Sequence, residues 1–229
     1  MFAMNNRYWY YLFFASLLAE ITAIALQWNN MRFFTKPLLV IILFTWFITS
    51  SAKLSPLRYY IAAALFFSWL GDIFLLMEAK GPYWFMAGLG SFLLAQIMYI
   101  LFFLRLRRKQ SLQKPWNLFV LAMVAIYTIS LFSFLYPYIG SLKIPVAVYA
   151  LAISAMLITA AHAFVKNSGG AAMYCTAGAG LFVMSDSLLS INKFYDSFPA
   201  AGTAIMLTYG LAQFAITKGS LQYLAGKSG

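Results

Sequence analysis

Charge is scarce in this chain, and negative charge most of all. Asp and Glu together number 5 in 229 residues, and charged residues of both signs make up 9%. Soluble domains carry about 25% charged residues, so a globule folded in water is excluded: its surface would be largely apolar. Cysteine occurs once, as Cys175 inside an apolar run, which excludes a disulfide framework. Histidine also occurs once, as His162, and one histidine with one distant cysteine is a poor basis for a zinc site. Gly-x-Ser-x-Gly elbows and glycine-rich phosphate loops are missing too, so neither a metal nor another cofactor is expected. Strand-like alternation is absent, which argues against an outer-membrane barrel.

What is present is hydrocarbon. Apolar residues amount to 63% of the chain, and its mean hydropathy is +0.81. Lipid is the solvent that suits such a composition, and roughly 20 apolar residues make one helical span. Apolar runs fall at 8–26, 33–50, 57–77, 83–104, 116–136, 143–165, 170–192 and 199–221. Pro37, Pro56, Pro82, Pro115, Pro145 and Pro199 stand just before a run or in its first turn, and Pro137 stands just after one. Proline is tolerated in a first helical turn and cannot continue a helix, so this placement marks helix ends. The expected fold is all-α: a polytopic bundle of about eight transmembrane helices forming one domain over 1–229. Connections of at most eleven residues make successive helices antiparallel neighbours and leave no room for a soluble insertion. Although Arg7 precedes the first run, that run is too long for a signal-peptide core and lacks a small-residue cleavage site, so it reads as a permanent helix.

Orientation follows from Lys and Arg. Arg7, Lys53, Arg58, Arg105, Arg107, Arg108, Lys109, Lys114, Lys166, Lys218 and Lys227 fall on one side, 11 in all; Arg32, Lys36, Lys80, Lys143 and Lys193, 5 in all, fall on the other. Both termini are therefore expected in the cytoplasm, in a bacterial inner-membrane setting. The net charge of +11 calls for anionic membrane lipids as partners, not nucleic acid.

An ionisable side chain within a span is a functional candidate by default. Glu20, Lys36, Asp72 and Asp186 are such residues, and all four fall in the outer third of the bilayer, within about 10 Å of one another in depth. Lys36 is expected in the first turn of its helix. Short aspartates cannot snorkel far, so Asp72 and Asp186 are expected to share one cavity from adjacent helices. Gly178, Ala179 and Gly180 would let their helix approach a neighbour closely. Gln96 and Tyr99 share one helix face, as do Tyr209 and Gln213. His162 falls at the inner end of its run beside Lys166, far from the aspartates, and is expected to be a surface residue.

Four stretches carry a resemblance. They are Phe34-Thr35-Lys36-Pro37-Leu38, Leu70-Gly71-Asp72-Ile73-Phe74-Leu75, the segment from Gly178 through Ser185-Asp186 to Leu189, and Tyr209-Gly210-Leu211-Ala212-Gln213. In this order, over essentially the whole chain, they resemble the YhhN family, whose eukaryotic relatives are lysoplasmalogenases. Gln96 stands where relatives often carry histidine. The resemblance implies hydrolysis of the vinyl ether bond of a lysophospholipid, the lysoplasmalogen, to a fatty aldehyde and a glycerophospho-base. That reaction needs a carboxylic acid to protonate carbon, an anion beside the resulting oxocarbenium ion, and a positioned water. Burial and like-charge repulsion keep one of two neighbouring carboxyls protonated while the other ionises, the division of labour found in glycosidases. Asp72 and Asp186 are the implied catalytic pair, and either could be the acid. Lys36, Glu20, Gln96, Tyr99, Tyr209 and Gln213 are implied substrate- or water-binding residues. The competing reading is a small proton-coupled transporter or permease, since intramembrane carboxylates also build proton relays; against it, the two halves show no inverted repeat.

Overall fold

A computed structural model describes residues 6–109, 115–164 and 169–226. Lys114, Lys166 and Lys227, on which the charge count partly rests, lie outside the described residues. The described residues form eight long helices: α1 Asn6–Ala25, α2 Asn29–Ser51, α3 Arg58–Leu76, α4 Pro82–Lys109, α5 Leu118–Leu135, α6 Lys143–His162, α7 Gly169–Ser190 and α8 Ala201–Gly226. Seven helices, α1 to α7, are long and apolar enough to cross a membrane. The chain is thus an integral membrane protein with an all-α bundle.

The exception, α8, shows how the bundle is organised. It packs along α7 and also touches α1, α2 and α3, so most of its residues are buried by protein. A helix surrounded by protein has no need of a lipid-compatible surface, and α8 accordingly carries Thr208, Tyr209, Gln213, Thr217 and Ser220 inside the bundle. Close approach to α7 depends on glycine. A β-carbon at Gly178 would stand 2.9 Å from both the Ala212 carbonyl oxygen and the Ile216 nitrogen, and one at Gly219 would stand 2.9 Å from the Ala171 carbonyl oxygen. Gly180, expected to serve the same purpose, faces open space.

Two other expectations change. Pro37 lies inside α2, not at its start, because the helix begins at Asn29. The polar turn Asn29-Asn30-Met31-Arg32 looks like loop by hydropathy, yet outside the hydrocarbon core a helix can begin with polar residues. Lys36 is therefore about two turns, roughly 10 Å, inside α2 and not in its first turn. Moreover, α4 packs on α6 and not along α5. Eight residues separate α4 from α5, enough that the connection does not force the two into contact. Helix α5 is peripheral, with Leu135 its one buried residue. It is tied to α6 by the Thr128 and Ser154 hydroxyls, 2.6 Å apart, and to α7 by Tyr127 donating to Ser187 Oγ at 2.7 Å.

Candidate active site

Helix α3 turns Asp72 inward one turn before its outer end, where only 1% of the residue is exposed. Lys36 reaches it from α2, with Nζ 3.4 Å from one carboxylate oxygen. Tyr209 reaches it from α8 and donates to the other oxygen at 2.7 Å. Gln213, one turn further along α8, places its amide nitrogen 3.4 Å from the Tyr209 hydroxyl, and its carbonyl oxygen accepts from Tyr99 of α4 at 2.6 Å. The result is an unbroken polar chain, Lys36, Asp72, Tyr209, Gln213 and Tyr99, drawn from four helices. Every member is buried. In low dielectric each such bond is strong, and each partner removed leaves another group unsatisfied.

Glu20 lies beside this chain, fully buried on α1. It accepts from Arg32 Nε at 3.2 Å and from Thr35 Oγ1 at 2.5 Å. Both donors come from the first two turns of α2, so the carboxylate ties α1 to α2 next to Lys36. Both of its oxygens are engaged within the protein, so Glu20 supports the site by tying α1 to α2.

Asp186 sits on α7 one turn from its outer end, at the level of Asp72, but its surroundings differ. It is half-buried and makes no ion pair among the described residues. Tyr149 of α6 donates a hydrogen bond to Oδ2. Gln96 lies on α4 beside Tyr149, fully buried, and neither of its amide atoms makes a hydrogen bond of ordinary geometry among the described residues. Buried polar atoms are nearly always bonded, and the Tyr149 hydroxyl is the group within reach of this amide. Two cavities meet at the carboxyl. One, of about 70 Å³, runs between α5, α6 and α7; the other, of about 60 Å³, runs between α3, α4, α6 and α7. Each exceeds the ~10–15 Å³ that one water requires.

The two aspartates lie close enough for the charge of one to act on the other. Their helices are not adjacent, however: α3 and α7 do not pack along each other, and α4 and α8 stand between. Phe92 of α4 and Phe182 of α7 pack edge-on against the Tyr209 ring, with centroids 5.9 and 5.6 Å away. Asp72 is absent from the walls of both cavities that Asp186 lines. Face-to-face sharing of one cavity from adjacent helices is thus replaced by two carboxyls on either side of an aromatic and tyrosine-bearing wall. Gly71 lets the Phe92 ring lie close against α3, since a β-carbon there would come within 2.6 Å of it.

His162 is remote from both carboxyls and has a structural task. Its Nδ1 lies 2.8 Å from the Ile158 carbonyl, which it donates to, and its Nε2 accepts from the Asn117 amide at 2.9 Å. The ring is half-buried against Trp116, pinning the start of α5 to the end of α6. Tyr149 is the site residue that sequence reasoning overlooked. One tyrosine among 15 carries no signal by itself, although its depth in α6, matching that of Asp186, could have singled it out.

A helical membrane bundle with carboxyls gathered near one end is the class of protein these observations define. A model of the YhhN family matches residues 31–220, and the chain belongs to that family. Over 167 residues it is 33% identical to proteins named lysoplasmalogenase from Mycobacterium bovis and Mycobacterium tuberculosis, an alignment covering 71% of this chain and 60% of each relative. It is 30% identical over 186 residues to the human protein named lysoplasmalogenase TMEM86B, covering 81% of this chain and 73% of that one. The chain thus spans about 60% of the length of the mycobacterial relatives. No solved structure matches.

Proposed function

We propose that this protein hydrolyses the vinyl ether bond of lysoplasmalogens, with Asp186 as the general acid and Asp72 as the fixed negative charge behind it. The observation that supports this most is the unlike partnering of two neighbouring carboxyls. Asp72 is held by an ammonium and a phenol, whereas Asp186 has no ion pair among the described residues and lines two cavities. The pair carries one negative charge between them, and Lys36 holds it on Asp72. The proton resides on Asp186, whose Oδ2 is taken by Tyr149, leaving Oδ1 to face the cavity.

In this reading the Asp186 proton passes to the vinyl carbon remote from the ether oxygen. The double bond supplies the electron pair, and an oxocarbenium ion forms at the adjacent carbon. The new Asp186 carboxylate offsets that charge and then takes a proton from a water attacking the cation, which restores the acid and yields a hemiacetal. Collapse of the hemiacetal moves a proton from its hydroxyl to the glyceryl oxygen, releasing aldehyde and the glycerophospho-base. General acid catalysis is typically worth 10²–10⁴-fold.

Incubation of purified protein with lysoplasmalogen should release free aldehyde. Asp186→Asn and Asp72→Asn should each lower turnover by about 10²-fold or more, and the double variant should be little worse than the worse single, since both groups serve one transition state. His162→Ala should keep its turnover. Retention of more than about a tenth of wild-type activity in both asparagine variants would defeat the mechanism.

A further inference from the structure

We infer that the outer cavity receives the substrate's phosphate at Lys193 and that the groove between α5, α6 and α7 receives its alkenyl chain, an assignment that rests on the reaction proposed above. Both cavities are walled by Val146, Tyr149, Asp186 and Ser190, so the acid stands at their junction. From there they diverge in chemistry. The groove beneath α5 is lined by Leu131, Phe132, Ile153 and Val183 and lies beside the one helix that is hardly packed. A hydrocarbon chain fits such a wall, and it can slide in from the bilayer past this peripheral helix, whose middle is tied to its neighbours by two hydroxyl contacts. The other cavity reaches Lys193, in the π-helical turn Ile191–Tyr195 that follows α7.

Lys193 has what a phosphate site needs. Its side chain is 36% exposed at the outer end of the bundle, above the Phe85 ring, and it is paired with Glu78, which is itself 31% exposed. A phosphate can replace the Glu78 carboxylate, which returns to water. Lys36, in contrast, is buried and committed to Asp72. The spacing also agrees. Lys193 lies seven residues beyond Asp186, a rise of about 10 Å. Seven bonds separate the protonated vinyl carbon from phosphorus, about 8 Å when extended at the ~3.5 Å that three bonds of a covalent chain span, and the lysine side chain can bridge the difference. A substrate laid along this path puts its vinyl ether at Asp186, its headgroup at the water interface and its chain toward lipid.

The test compares two substrates with the same alkenyl chain, lysoplasmalogen and 1-alkenylglycerol, the second lacking phosphate. In detergent-solubilised full-length protein, Lys193→Ala should raise KM for lysoplasmalogen about tenfold with kcat little changed, the scale of one charge-assisted hydrogen bond at a partly exposed site. KM for alkenylglycerol should stay at the wild-type value. Lys193→Arg should restore the phospholipid KM, and Glu78→Gln, which frees the lysine, should lower it. Separately, Leu131→Trp should depress turnover of long-chain substrate while sparing a short-chain vinyl ether. Equal effects of Lys193→Ala on both substrates, or none on either, would overturn the phosphate assignment while leaving the hydrolysis intact. Equal effects of Leu131→Trp on long and short chains would overturn the groove assignment. Failure of wild-type protein to release aldehyde from either substrate would remove this inference together with the reaction on which it rests.

Discussion

Replacing Lys36 by methionine keeps most of the side chain's length and removes its charge. Lys36 and Asp72 are 8% and 1% exposed, with the charged atoms 3.4 Å apart. At an effective dielectric of about 20, the Coulomb energy at that separation is about 5 kcal/mol. The measured loss should be smaller, because Asp72 retains the Tyr209 hydroxyl and can take up a proton once its cation is gone. A destabilisation of about 3 kcal/mol is expected, the lower end of what breaking a buried pair brings. Asp72→Asn placed in the same chain removes the orphaned charge, so Lys36→Met with Asp72→Asn should recover most of that stability. Activity should behave otherwise. Lys36→Met should lose at least tenfold in aldehyde release, since nothing then holds the negative charge on Asp72, and the double variant should be folded and inactive. Thermal unfolding in one detergent gives the first comparison, and aldehyde release gives the second. Wild-type stability and turnover in Lys36→Met would refute the reasoning, as would a double variant no more stable than Lys36→Met alone.

Tyr149→Phe removes only the hydroxyl that Asp186 accepts from; kcat should fall about tenfold with folding unchanged, the scale of one hydrogen bond to a carboxyl, and full retention of kcat would mean that Asp186 is positioned by something else. A reporter active only in the cytoplasm, fused to Gly229, should give signal, and the same reporter in the 138–142 loop should not; the reverse pattern would overturn the topology drawn from the 11 to 5 distribution of Lys and Arg.

Spans were legible in the sequence because hydropathy is a local property. The eight helices match the eight apolar runs to within a few residues, and six of the seven prolines stand at helix ends. Pro37 is the exception, and it misled for a physical reason. Helix α2 extends outward through a polar turn, where hydropathy falls but the backbone still bonds to itself. Hence Lys36 stands about one turn further from the start of its helix than its place in the apolar run suggests. Gly178 illustrates partial legibility: small residues announced a close approach, but only the structure assigns that approach to Gly178 and not to Gly180.

The candidate residues were legible one at a time, since ionisable and amide groups within apolar runs are rare and expensive. Their partners were not. Tyr209 bonds to a carboxylate 137 positions away and Tyr99 to an amide 114 positions away, and spacing along the chain says nothing about either. That α4 turns to α6 while α5 stays outside, opening a groove beside Asp186, depends on which helix faces fit together in three dimensions. By itself the sequence determined that lipid surrounds this chain, where the helices run, and how few polar groups they carry inward. The tertiary structure alone decided that Lys36 pairs with Asp72, that Tyr149 holds Asp186, and that Asp186 lines two cavities. Local burial energetics act residue by residue along the chain, whereas a site arises where separate helices bring those residues within hydrogen-bond distance.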